Sequence, residues 1–315
     1  MSSQPPVRHP LGDPSLVGVA DGIHAWVQPD GTWWVNNTGA VTGSDGTVVV
    51  DTCATDVRTR RFLGAVAEAV PGSPLRMAVN THQHGDHTYG NSLLPAQTVL
   101  VGHENMREGL RVDQIIDGCP PVFEPLPDWG EIERRLPSVT FRDTATLYAG
   151  ERRIELAHPG HPAHTTGDAV VWVPDSGVLF CGDLLFHGLT PLVFMGSVQG
   201  ALRSLDWLAA YPASVVVPGH GPLVLAADLP RVLDEHERYF RLVLSAAAAG
   251  MASGRSPLEC AQQTDLGPFA AWADEERLVL NLHRAYADAR GVELDLMAAF
   301  ADAVSYHHGP LATGV

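Results

Sequence analysis

The sequence predicts a layered α/β fold built from two αβ halves and followed by a helical extension. Three observations carry this reading. Apolar runs that read as buried strands end repeatedly in short polar motifs: Leu75–Val79 before Asn80–His87, Val178–Cys181 before Gly182-Asp183, and Val215–Val217 before Pro218-Gly219-His220. Strand-rich stretches with an intervening helical pattern occur twice, before and after residue 139. Beyond Pro222 the pattern turns helical, over Leu229–Ala249, Asp274–Ala289 and Leu294–Tyr306, with breaks at Gly254–Pro257 and Gly267-Pro268.

In chain order, Met1–Val17 is rich in Pro and Ser, and residues 1–16 are expected to be disordered. Short strands follow at Val17–Ala20, His24–Val27, Trp33–Asn36 and Val48–Asp51, separated by Gly and Asp turns. Thr55–Val70 has helical spacing, with Val57, Phe62, Val66 and Val70 as the buried face. A second helix is expected from about Asp86, and a strand over Thr98–Gly102. Arg111–Pro137 is a long segment with little periodicity and several large apolar residues, as expected of a pocket wall or lid. The second half has strands at Arg152–Ala157, Ala169–Val173 and Val178–Cys181, the last two joined by the turn Pro174–Gly177. A helix over Gly200–Ala210 precedes the strand at Val215.

The run His82-Gln83-His84-Gly85-Asp86-His87 is the most informative feature of the chain. Side chains at i and i+2 of an extended segment point the same way, so His82 and His84 can reach one metal ion together. Gly85 permits a sharp turn, after which Asp86 and His87 can face a second ion. Further donors stand at His158, His161, His164, Asp183 and His220, each just beyond an apolar strand. Strand ends are where layered α/β proteins gather their sites, because the sheet fixes them while the loops stay accessible.

The H-x-H-x-D-H run, His164-Thr165-x-Gly167, Gly182-Asp183 and Gly219-His220-Gly221, in this order, resemble the metallo-β-lactamase superfamily. The resemblance spans residues 17–225 and implies an αββα sandwich, with residues 226–315 as the helical extension packed on it. It also implies a two-metal site. His82, His84 and His164 would hold the first ion, Asp86, His87 and His220 the second, and Asp183 would bridge them. Asp51 and Thr81 would support the ligand loop. His161 is the alternative third ligand: Gly160-His161 is followed by Pro162, whereas His164 has Thr165 and Gly167 in the family's spacing.

Composition narrows the function. The formal net charge of −16 argues against nucleic-acid binding. The chain contains no lysine, which excludes a lysine Schiff base and a P-loop. No apolar run approaches the ~20 residues of a membrane span. No basic-then-apolar start resembles a secretory signal, so a cytoplasmic location is expected. Cys53, Cys119, Cys181 and Cys260 are scattered and read as free thiols.

Two nearby divalent ions, zinc by resemblance and iron or manganese by donor chemistry, can share a bridging hydroxide at neutral pH. Asp86 and Asp183 are the carboxylates expected to act in catalysis, and the expected reaction is hydrolysis of a thioester, ester or amide. Asp128–Ile132, Pro137–Asp143, Gly188–Ser197 and Glu276–Arg284 further resemble the cyclase/thioesterase enzymes of bacterial aromatic polyketide pathways. That likeness implies release, with or without ring closure, of a polyketide thioester held on an acyl carrier protein. Its pocket would be lined by Phe123, Trp129, Phe186, Leu189 and Phe194, with His187 nearby as a proton donor. Arg58, Arg60 and Arg61, or Arg134 and Arg135, are the available carrier-docking patches, though ordinary solvated faces are the simpler reading; a homodimer is compatible with the chain. The alternative is another hydrolase on the same scaffold: a lactonase, glutathione-thioester hydrolase or β-lactamase.

Overall fold

The computed structural model describes residues 11–315. The first half runs β1 (Ser15–Ala20), β2 (Ile23–Val27), β3 (Thr38–Gly43), β4 (Gly46–Val50), α1 (Asp56–Ala69), β5 (Leu75–Val79), α2 (Gly85–Thr88), β6 (Val99–His103), α3 (Glu104–Val112), β7 (Phe123–Glu124) and β8 (Val139–Phe141). The second half runs β9 (Thr144–Ala149), β10 (Arg152–Ala157), β11 (Val170–Val173), β12 (Val178–Phe186), α4 (Val198–Ala209), β13 (Val215–His220) and β14 (Val224-Leu225). The extension supplies α5 (Leu229–Ala252), α6 (Pro257–Gln263), α7 (Arg277–Arg290), α8 (Leu296–Tyr306) and β15 (Leu311-Ala312).

Two mixed sheets face each other. The first has the order β1-β2-β3-β4-β5-β6-β8 and the second β14-β13-β12-β11-β10-β9. Strand alternation builds the layers. Val48 and Val50 of β4 point between the sheets, where Ile154, Val171, Phe180 and Val217 meet them. Val49, between them, points outward to Phe62 and Val66 of α1. A Cβ on Gly39 would overlap the Phe180 ring, so the sheets approach closely at that point. On the outer face of the second sheet, Leu179 and Val216 join residues of α4, α5, α7 and α8 in the largest core cluster. The result is the expected αββα sandwich with helices packed on one outer face.

Several expectations need correction. β1 begins at Ser15, inside the stretch read as unstructured, and residues 1–10 lie outside the described residues. Trp33–Asn36 is not a strand: Trp34 has φ +67° and the segment turns toward β13. There Asn37 N–H donates to Gly219 O at 2.7 Å, and Asn37 Nδ2 donates to the carbonyls of Pro218 and Gly221. Those bonds replace a sheet ladder. The strand β3 was not anticipated. In α1, Val57 is 63% exposed, and Thr59 takes its expected buried place, donating to Thr55 O at 2.9 Å. No helix among the described residues is long and apolar enough to cross a membrane.

Candidate metal centre

The ligand run leaves β5 at the end where β4 and β6 flank it in parallel. Asp51, just past β4 with φ +59°, anchors the run. Its carboxylate accepts from Thr81 N–H at 2.7 Å, from Thr81 Oγ1 at 2.7 Å, and from His87 Nδ1 at 2.8 Å. Burial raises the pKa of Asp51, and the His87 contact and Thr81 bonds oppose that rise. One Asp51 carboxylate thus ties together Thr81 and His87 at the two ends of the run.

Ligand atoms of His82, His84, His164 and Asp183 all lie within 4.8 Å of one another, and so do those of Asp86, His87 and His220. In the first group, His84 Nδ1 is 2.8 Å from His164 Nε2 and 3.2 Å from His82 Nε2. In the second, His220 Nε2 is 3.2 Å and His87 Nε2 3.7 Å from Asp86 Oδ2. Asp183 faces both groups: its oxygens lie 3.3 Å from His164 Nε2, 3.1 Å from His87 Nε2 and 3.5 Å from His220 Nε2.

Three of the outward nitrogens are already engaged. His164 Nδ1 meets Leu192 O at 2.6 Å, His220 Nδ1 meets Val35 O at 2.9 Å, and His87 Nδ1 meets Asp51. Donating to an oxygen fixes the tautomer and leaves each Nε2 lone pair free for the centre. His87 Nε2 and Asp183 Oδ1 are buried without a hydrogen-bond partner. Buried polar atoms of this kind are costly unless satisfied, and with the His87 Nδ1 proton given to Asp51, its Nε2 lone pair and the Asp183 oxygen 3.1 Å away are both acceptors and cannot satisfy one another. A pair of divalent cations satisfies them, so the residues fit two ions. Imidazole and carboxylate donors suit zinc, iron or manganese.

Electrostatics set the two groups apart. Burial holds His82 well below its usual value and brings His164 down to about 3. These imidazoles are neutral, as metal ligation requires. Burial also lowers His87 and His220, but the charges of Asp183 and Asp86 outweigh it and raise both. For Asp183, burial pushes upward, and His220 and His87 more than reverse it.

His161 lies elsewhere, with Nε2 3.1 Å from Gly200 O and 3.2 Å from Ser204 Oγ. His158 stacks on His103 with centroids 4.2 Å apart. Cys181 packs in the core of the second sheet.

A cavity of about 620 Å³ opens on the centre, reaching His84, Asp86, Asp183 and His220. Phe186 and Phe194 line it. The other pocket candidates do not. Phe123 packs edge-on to Trp33 and Trp34, one layer back. Trp129 packs against Trp34 and Tyr89, and its Nε1 donates to Ile115 O. Leu189 is buried in the core, with a backbone bridge to Ala273. His187 Nδ1 turns to Pro222 O at 3.0 Å. Their places in the wall are taken by Trp33, Trp34 and Tyr89, and by Leu296, Met297 and Phe300 of α8. No local motif marks these residues. Val112, Ile115 and Pro120 show that Arg111–Pro137 does form part of the wall.

The arginine clusters are engaged. Arg58 bonds Gln28 and Asn36, Arg60 and Arg61 pair with Glu131 and Asp13, Arg134 pairs with Asp117, and Arg135 donates to carbonyls including those of Leu94 and Thr98. Neither cluster stands as an unpaired cationic patch.

The family model described as the metallo-beta-lactamase superfamily matches residues 31–220. The chain belongs to that superfamily. It is 34% identical over 179 residues to a hydroxyacylglutathione hydrolase of Methylococcus capsulatus, covering 56% of this chain and 57% of that protein. It spans about half the length of the curated relatives it matches. Among solved structures, a metallo-beta-lactamase family protein from Thermus thermophilus superposes with a TM-score of 0.64 at 20% identity, covering 87% of this chain and 95% of that one. The sec-alkylsulfatase Pisa1 from Pseudomonas gives 0.68 at 16% identity, covering 90% and 51%. These two likenesses speak for the superfamily fold alone. The relatives named here are not polyketide enzymes, so the closer resemblance to polyketide cyclase/thioesterases gains no support from them. The superfamily match ends at His220, before the extension that supplies one side of the cavity.

Proposed function

We propose that this metallo-beta-lactamase-fold protein is a two-metal hydrolase of a thioester or ester carrying a bulky, apolar acyl group. His82, His84 and His164 would hold one cation, Asp86, His87 and His220 the other, with Asp183 between. The bound cations would supply Lewis acidity and an activated nucleophile near neutral pH. Asp183 holds negative charge between the two groups, and Asp86 lines the cavity where a nucleophile is to be oriented. The rings of Phe186 and Phe194 exclude water beside the centre.

The observation that carries the acyl assignment is the cavity wall. It contains Trp33, Trp34, Tyr89, Phe186, Phe194 and Phe300, and a single arginine, Arg277. That arginine is already paired with Asp274 at 3.0 Å and lies over the Trp33 ring. An aromatic polyketide thioester delivered on an acyl carrier protein, with or without ring closure, is the finer reading. The size and aromatic wall of the cavity support it.

The relatives named for hydroxyacylglutathione hydrolysis favour a second reading, glutathione-thioester hydrolysis. Glutathione presents two carboxylates, and among the described residues the cavity offers no unpaired cation beside the centre to receive them. Rates on a glutathione thioester, a small-thiol thioester of an aromatic acyl group, and the same acyl group on an acyl carrier protein distinguish these readings. Preference for the aromatic acyl thioesters supports the first. Efficient turnover of the glutathione substrate alone supports the second. No turnover of any ester or thioester by the metal-loaded protein contradicts both.

A further inference from the structure

Asn281 is fully buried in α7, within the extension and outside the superfamily match. Its Oδ1 accepts from Val193 N–H at 2.6 Å, and its Nδ2 donates to Pro191 O at 2.8 Å and to Tyr239 Oη at 2.9 Å. The amide orientation is fixed by its partners, since an N–H can only donate and a carbonyl can only accept. Between the two anchored residues lies Leu192, whose carbonyl meets His164 Nδ1 at 2.6 Å. Directly after them comes Phe194, stacked on His84. Four residues before Asn281, Arg277 Nη1 donates to Thr190 O at 3.0 Å, extending the same buttress along one helix face.

We propose that Asn281 is a positioning residue for the metal group of His82, His84 and His164. By pinning Pro191–Val193 it sets where the Leu192 carbonyl stands, and that carbonyl sets the direction of His164 Nε2. The helical extension thereby reaches the metal centre through one buried amide. Without it, Val193 N–H and Pro191 O lose their buried partner and the segment must shift to find others.

The proposal rests on the two-metal reading, and the experiment separates the two. Chelator-treated protein is titrated with cobalt(II) against a competing chelating indicator, and the cobalt absorption spectrum is recorded. Asn281→Ala should weaken at least one of two equivalents by about tenfold or more, as loss of a ligand-orienting hydrogen bond does. It should also alter the spectrum. Asn281→Asp keeps the acceptor for Val193 and loses the donor to Pro191. It should fall between Asn281→Ala and the unaltered chain, and it provides the measurement should Asn281→Ala fail to fold. Val66→Ala, in the separate cluster under α1, should lower the melting temperature while leaving cobalt affinity within about twofold, since distant sites act independently. Unaltered affinity and spectrum in both Asn281 variants, with two equivalents still bound, overturns the positioning role alone. An unaltered chain that takes up no cobalt overturns the two-metal reading beneath it.

Discussion

Phe194 lies flat against His84, with ring centroids 5.1 Å apart and planes 8° from parallel. Phe186 stands in the same relation to His220, at 5.2 Å and 7°. One apolar ring thus covers a ligand of each metal group, and both rings face the cavity. The same two rings thus wall the cavity and pack on a ligand side chain.

Replacing Phe194 with Thr should therefore change recognition more than metal content. Burying a phenyl group is worth about 1.5–3 kcal/mol, so KM for an apolar aromatic thioester should rise by roughly tenfold or more. Metal analysis should still find two ions per chain. An unchanged KM would remove Phe194 from the substrate wall.

Gly219 tests the bridging position. A Cβ there would overlap Asp183 Oδ1 and press on the Gly182 backbone. Gly219→Ala should displace the carboxylate and lower the metal content below two ions per chain, as Asp183→Ala should by removing the charge between the cations. Elemental analysis of the purified variants decides. Full loading of both would mean that Asp183 does not bridge.

His236 of α5 gives a pH prediction. It is buried, its Nδ1 donates to Val232 O at 2.8 Å, and its Nε2 accepts from Phe186 N–H at 3.1 Å. Burial brings its pKa down to about 4 from 6.5. The folded state then binds fewer protons than the unfolded chain across that window. Its contribution to stability is present above pH 6.5 and is lost as pH falls toward 4, by about 3 kcal/mol in total. The melting temperature of metal-free protein should fall across this range, and His236→Leu should show a shallower fall despite a lower value at pH 7. Equal slopes would show that His236 does not titrate in that range.

Much of the metal centre was legible in the sequence because its ligands sit in local motifs at strand ends. His82, His84, Asp86 and His87 come from one short run, and His164 is preferred over His161 because Thr165 and Gly167 follow it in the superfamily's spacing. The sandwich was legible for a related reason: strand alternation, as in Val48–Val50, is a short-range pattern. The cavity was not. Its wall joins Trp33-Trp34 to Leu296, Met297 and Phe300 across almost the whole chain. Long-range packing of that kind leaves no periodic trace. The positive φ of Trp34 was equally hidden, since it lies in a hydrogen-bonded turn, Thr32–Val35, with no glycine at that position. Asn281 carries no signal of its own within the helical stretch Asp274–Ala289, and only the fold brings it to Pro191–Val193.

Hydrolysis by this protein should depend on two metal ions held by these seven residues. Its most direct test is to strip the protein with a chelator and titrate zinc back while following turnover of an aromatic acyl thioester. Turnover should be negligible without metal and rise to a plateau at two equivalents per chain. Full turnover in the stripped protein, or a plateau reached without any bound metal, would contradict it.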